Sequence, residues 1–261
     1  MTHTTVGAAG FLTALRSPDA EPELGAAADQ ASAVGLWSIA TALYDELPAD
    51  VRDGWAHRLC TRLQERYGHD TVTALSVSPG LSVVHDWHGR TVLPLVAEIL
   101  RGGTSVSLSP LARLHAAAAA GRPTAQDDWR TALHPVLLHL HAAAYDRTSA
   151  YAGGHAGARD YALSQGRSAD EADAYGHEYA ELSATAGERA FAEAHALTLS
   201  DALAQAYAAD DHMAYAHTCP ASQVRAVIRA YDQKGVGANS VTRLSEGLLS
   251  ALAENRSLRN R

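Results

Sequence analysis

A long proline-free stretch that opens on a capping signal constrains this chain more than any other feature. Ser168 with Glu171 three residues on fits the reciprocal capping box, and no proline follows before Pro220. The spacing predicts one Ala-rich helix over about 168–209. Shorter helices are punctuated in the same way. Ala26 to Leu47 reads as an amphipathic helix ended by Pro48, and Asp50 is placed to cap a second one through about Tyr67. Ser109-Pro110 and Cys219-Pro220 set a proline at a helix start, Gly235 and Gly237 stop the helix begun at Pro220, and Asn239 or Ser240 opens a last one to about Ala253.

The fold class that follows is all-α: a single-domain multi-helix bundle over 1–261, with an irregular segment near 76–108. Within that segment, Leu75 to Arg90 reads as a loop or short extended piece, because Ser78-Pro79-Gly80 and Gly89 bracket the run Leu81-Ser82-Val83-Val84. Gly102-Gly103 and the alternation to Ser109 form a second non-helical connection, and 102–108 is where a weak subdivision would fall. Composition agrees with helices. The chain has 54 alanines and only two phenylalanines, Phe11 and Phe191, so its core is built from Ala, Leu and Val with few rings.

Of the 21 basic residues only Lys234 is a lysine, and the bias to arginine and alanine, both with GC-rich codons, points to a high-GC bacterial genome. A net charge of −8 argues against a nucleic-acid partner held by phosphate neutralisation. Two cysteines, Cys60 and Cys219, are too few for a disulfide framework. With no basic leader and no apolar run of about 20 residues, the expectation is a cytoplasmic protein without a membrane partner.

Fourteen histidines are many for this length, and their placement carries the functional reading. The segment Leu133 to His141 is apolar on nearly every side. On a helix, His134, Leu138, His141 and Tyr145 share a face. His134 and His141 lie two turns apart, roughly 10 Å, too far to chelate one metal easily but suited to lining a pocket. His85-Asp86-Trp87-His88-Gly89-Arg90 reads as a polar loop, with Arg90 to hold an anion while a histidine moves a proton. The expected site therefore has His134, His141, Tyr145, His85 and His88 as catalytic groups. Arg90, Trp87, Asp86 and Asp146 are its substrate contacts.

The long helix also carries His177, Glu181, Glu188 and His195 in one row. His177-Glu178-Tyr179-Ala180-Glu181 starts like a zincin helix but has glutamate where the second histidine belongs. Tyr175, Tyr179, Leu182, Ala186 and Ala190 lie opposite, which makes the row a solvated acidic face; 11 acids stand against Arg167 and Arg189 between 160 and 213. His212, His217 and Cys219 form a further possible donor set. No metal or other cofactor is expected. Three functions follow. The first is an acid–base enzyme, of lyase, isomerase or cyclase type, acting on a small polar or anionic metabolite, with specialised biosynthesis as its expected setting. The second is a metal- or haem-dependent helical oxidoreductase using the His/Glu row. The third is a non-catalytic interaction protein whose long helix docks a partner or a second copy and whose core is packed.

Overall fold

The computed structural model describes residue 12 and residues 31–67, 81–101, 106–235 and 239–254. All regular structure among them is helical. In chain order the elements are α1 (Ala31–Glu46), α2 (Arg52–Tyr67), α3 (Ser82–Trp87), a π-helical turn (His88–Val92), α4 (Leu93–Leu100) and α5 (Ser109–Ala119). They continue with α6 (Gln126–Ala144), α7 (Arg147–Ser164), α8 (Ala169–Ala209), α9 (His212–Ala216), α10 (Pro220–Gln233) and α11 (Ser240–Glu254). Among the described residues no helix is long and apolar enough to cross a membrane.

The 41-residue helix α8 opens as expected: the Ser168 hydroxyl accepts from the Glu171 N–H, and the Glu171 carboxylate accepts from the Ser168 N–H at 3.0 Å. Its far end, Asp210, takes a left-handed φ of 49°, a conformation aspartate tolerates better than most residues. The Asp210 carboxylate then accepts the Leu81 N–H at 2.7 Å, so the end of α8 holds the start of α3.

Which face of α8 is buried differs from expectation. The inward positions are Ala172, Gly176, Ala180, Ala184, Ala192, Ala196, Ser200, Leu203, Ala204, Ala206 and Tyr207. Tyr179 and Leu182 are exposed, 49% and 67%. Small residues let a neighbouring helix come close, so alanine marks the contact face and the large apolar side chains stand outside it. α7 lies along the first half of α8, and Arg147 at its start pairs with Glu181 and Glu188. α6 runs antiparallel to the second half, with Arg130 against Asp201 near one end and Tyr145 against Gly187 at the other.

Residues 82–90, expected as a loop or short extended piece, are helix that runs into the π turn and on into α4. The β-branched Val83 and Val84 are buried with His85 and Trp87, and this packing overrides local preference. Gly89 lies inside the turn. The Leu93 N–H donates to His88 O, five residues back, and Pro94, which has no N–H, follows at the start of α4. Residues 68–80 and 102–105 lie outside the described residues; 106–108 are non-helical, as read. Leu108 stands at the cap of α5, Ser109 is its first residue and Pro110 lies in its first turn.

The remaining helices close around α3, α4 and α6. Trp55 and Trp87 donate their indole N–H groups to successive carbonyls of α11, Ser245 O at 3.1 Å and Leu244 O at 2.9 Å. Arg243 of α11 forks onto Glu98 of α4 at 2.7 and 2.8 Å, and Tyr231 of α10 donates to the same carboxylate at 2.9 Å. This arrangement pins three helices and holds the Glu98 carboxyl down at about 2, chiefly through the Arg243 and Tyr231 hydrogen bonds. Buried Leu, Val, Ala and Trp from all these helices form one contiguous core.

Gly247 of α11 faces Thr91 of the π turn, and a methyl group at 247 would fall on the Thr91 side chain and its Cβ. Gly153 on α7 faces open space. Gly247→Ala should therefore lower stability by about 1–3 kcal/mol despite alanine's better helix propensity, while Gly153→Ala should raise it by up to about 1 kcal/mol. Thermal melts followed by circular dichroism check both. An unchanged or higher Tm for Gly247→Ala would refute the close contact between α11 and the π turn.

Candidate functional site

A cavity of ≈ 60 Å³ lies between α3–α4, α5, α6, α8, α9 and α10. At roughly 10–15 Å³ per water, it takes a few waters or part of a small molecule. Its wall is mostly leucine and valine. The polar exceptions are His88, His115, His141, Tyr207, Tyr215 and Gln223. The π turn positions His88, α5 carries His115, α6 carries His141, and the last turn of α8 carries Tyr207.

Behind that wall the imidazoles and rings form a packed group. His85 Nδ1 and His115 Nδ1 are 3.0 Å apart and buried, so one nitrogen donates and the other accepts; the two rings hold complementary tautomers. His85 stacks on Trp129 at 5.5 Å and meets the edge of Tyr207 at 4.8 Å. His88 stacks on His115 at 5.1 Å. Burial keeps these rings neutral. It lowers His85 to about 3, helped by the neighbouring His88 and His212, and His88 to about 4. His115 is pushed well down by burial and then by His88 and His85, and burial drives the Tyr207 and Tyr215 hydroxyls up.

His141 stands apart from this group. It is 3% exposed, yet neither ring nitrogen has a hydrogen-bond partner, and burial together with His195 lowers it to about 4. Its ring stacks on His195 of α8 at 4.6 Å. The Phe191 carbonyl accepts from His195 Nδ1 at 2.8 Å, which fixes the proton of that ring on Nδ1. The Tyr207 hydroxyl is also buried without a partner. Two orphan polar groups therefore line one apolar cavity, and an unpaired buried donor or acceptor costs about 1–3 kcal/mol.

The expected site is only partly assembled. His88, Trp87 and His141 line the cavity, and His85 sits behind it through His115. His134 is exposed: it shares the phase of His141, but two turns nearer the N-terminus of α6 that face is uncovered. Tyr145 caps the end of α6 and packs over Gly187 and Phe191, away from the cavity. Asp86 and Arg90 pair with each other at 2.8 Å, four residues apart on the helix, with Arg90 63% exposed; among the described residues no arginine or lysine lines the cavity. Asp146 caps α7, accepting the Ser149 N–H at 3.0 Å. The pocket is apolar where a polar one was expected.

The metal row is divided as well. Arg147 engages Glu181 and Glu188, and His195 is tucked against His141, so these residues share no site with His177. Among the described residues His212, His217 and Cys219 do not gather as ligands either. Sequence reading missed His115, Trp129, Tyr207 and Tyr215. For His115 a signal exists: it stands four residues after Leu111 on the inward stripe of α5, as Tyr207 does after Leu203 on α8.

Neutral buried imidazoles make stability depend on pH. The folded values of His85, His88 and His141 lie below the ordinary 6.5, so between about 6.5 and 4 the unfolded chain takes up protons that the folded chain refuses. Stability should be complete above pH 6.5 and fall on acidification by up to about 1.4 kcal/mol per pH unit for each such histidine. Urea midpoints at pH 7.5 and 5.5 measure this, and equal midpoints would show that the rings are not held neutral.

No protein-family model, no curated protein and no solved structure matches this chain, so its function has to be argued from the site itself.

Proposed function

We propose that this chain binds a small, largely apolar molecule in the helical cavity and acts on it by proton transfer, with neutral His141 as the base or hydrogen-bond acceptor. The observation that carries the reading is His141 itself, an imidazole on the cavity wall with both nitrogens unpartnered. A base needs a deprotonated nitrogen within reach of the proton it takes, and a buried ring of lowered pKa is deprotonated at neutral pH. The Tyr207 hydroxyl, held protonated by burial, supplies a matching donor.

The reaction class is one that positioned acid–base groups suffice for: elimination, isomerisation or ring closure. The substrate is one that presents apolar surface to the leucines and a single polar group to His141 and Tyr207. This reading narrows the expected polar or anionic metabolite to a less polar one. Cys60 and Cys219, which no disulfide joins, fit a cytoplasmic setting. The interaction-protein reading calls for a packed core, and the orphan groups around a void favour the enzyme.

If His141 serves a ligand and not the fold, His141→Leu should keep or raise stability, because an unpaired polar group is replaced by an apolar one of similar size. Tyr207→Phe should behave likewise. Ligand-observed NMR with a library of small, weakly polar molecules should find binders to the parent chain, with affinity falling at least tenfold in each variant. A drop in Tm of several degrees in His141→Leu, or binding untouched by both changes, would defeat the proposal.

A further inference from the structure

Outside the cavity, we infer a divalent transition-metal site on the hairpin of α7 and α8, formed by His155, Asp173 and His177. One potential ligand atom from each residue lies within 4.8 Å of the other two. His155 Nε2 is 3.3 Å from Asp173 Oδ1, and His177 Nε2 is 3.4 Å from Asp173 Oδ2. Bonds of about 2.05 Å to a tetrahedral zinc place neighbouring donors roughly 3.3 Å apart; each imidazole already stands at that distance from one carboxylate oxygen, His155 from Oδ1 and His177 from Oδ2, and a small turn of the carboxylate would present a single oxygen to both. The two imidazole rings are 4.3 Å apart.

Three features build this group beyond proximity. Asp173 and His177 stand four apart on α8, on one face, and the rest of the set comes from the neighbouring helix. His155 Nε2 is shut off from solvent, and its 3.3 Å approach to Asp173 Oδ1 lacks the geometry of a hydrogen bond, although the side chain as a whole is 22% exposed. Its ring rests on the backbone at Gly176, where a methyl group would press on Cδ2 at 3.0 Å. Finally, the Tyr151 hydroxyl lies 2.7 Å from His177 Nδ1. With the ring proton on Nδ1 and donated to the phenol oxygen, Nε2 is left as the metal ligand, the outer-shell arrangement that orients imidazoles at such centres.

Two imidazoles and a carboxylate suit zinc, cobalt, nickel or copper better than calcium or magnesium. Asp173 and His177 are 51% and 58% exposed, which leaves coordination positions for water. Arg159 Nε, 3.6 Å from Asp173 Oδ1, competes for the carboxylate, so the site is weaker than a closed four-ligand centre and loads when metal is supplied. A bound ion would join α7 to α8.

Titration of the chelator-stripped full chain with zinc chloride in a calorimeter, and with cobalt chloride in a spectrophotometer, tests this. The expected result is a saturable site of one equivalent, with intense visible bands for four-coordinate cobalt. Affinity should fall at least tenfold in His155→Ala and in His177→Ala, drop severalfold in Tyr151→Phe, and rise in Arg159→Ala. His134→Ala, an exposed histidine on α6, should leave it unchanged. No saturable binding, or binding that survives both His155→Ala and His177→Ala, overturns the site.

Discussion

The small-residue stripe of α8 sets the spacing on which much of the molecule depends. Helix axes pack about 8–10 Å apart according to the side chains between them, and a contact made of alanine and glycine lies at the close end of that range. Ala172 to Ala184 serves α7, and Ala196 to Ala206 serves the core. Everything polar along that long helix is arranged relative to this contact. Arg147 can span to Glu181 and Glu188 because α7 is near, and His141 can stack on His195 because α6 is near. A larger residue in the stripe would separate the helices and loosen both sets of contacts at once.

The core then needs volume from elsewhere. With few phenylalanines available, tryptophan, tyrosine and histidine fill the space where α3, α5, α6 and α8 converge. An imidazole is a small aromatic ring with two polar atoms, and burying it uncharged requires partners for those atoms. His85 and His115 pair through their Nδ1 atoms, and His195 Nδ1 uses a backbone carbonyl. His141 has no such solution, and among the histidines on the cavity wall that leaves both of its nitrogens unpartnered.

Much of the fold was legible because capping is local chemistry. Ser168 and Glu171 act on each other within one turn, and the long helix starts and ends within a residue of its expected bounds. The failures are tertiary. Ser82 to Arg90 contains β-branched residues and glycine, signals against helix, and only contact with α5 and α11 makes the helix pay there. On α8 the stripe that helical phase sets opposite the His/Glu row stays outside, because close packing selects alanine and glycine over Tyr179 and Leu182. For the site, helical phase identified His141 but said nothing of what covers each turn, so His134 on the same face went astray. His115, Tyr207 and the pairing of His155 with Asp173 depend on which helices meet, and a single sequence does not state that.

The π turn at His88–Val92 holds one residue more than an α-helical path between the same ends would need. Beyond it, every side chain is turned by about 100° relative to an uninterrupted helix. Trp87 and His88 on one side and Val92, Leu93 and Val96 on the other line the same cavity across that offset. An inserted residue in an ancestral helix would produce such a bulge in a single step. On an unbroken helix Val96, nine residues after Trp87, would stand on the opposite side, and the extra residue brings both onto the wall of one cavity.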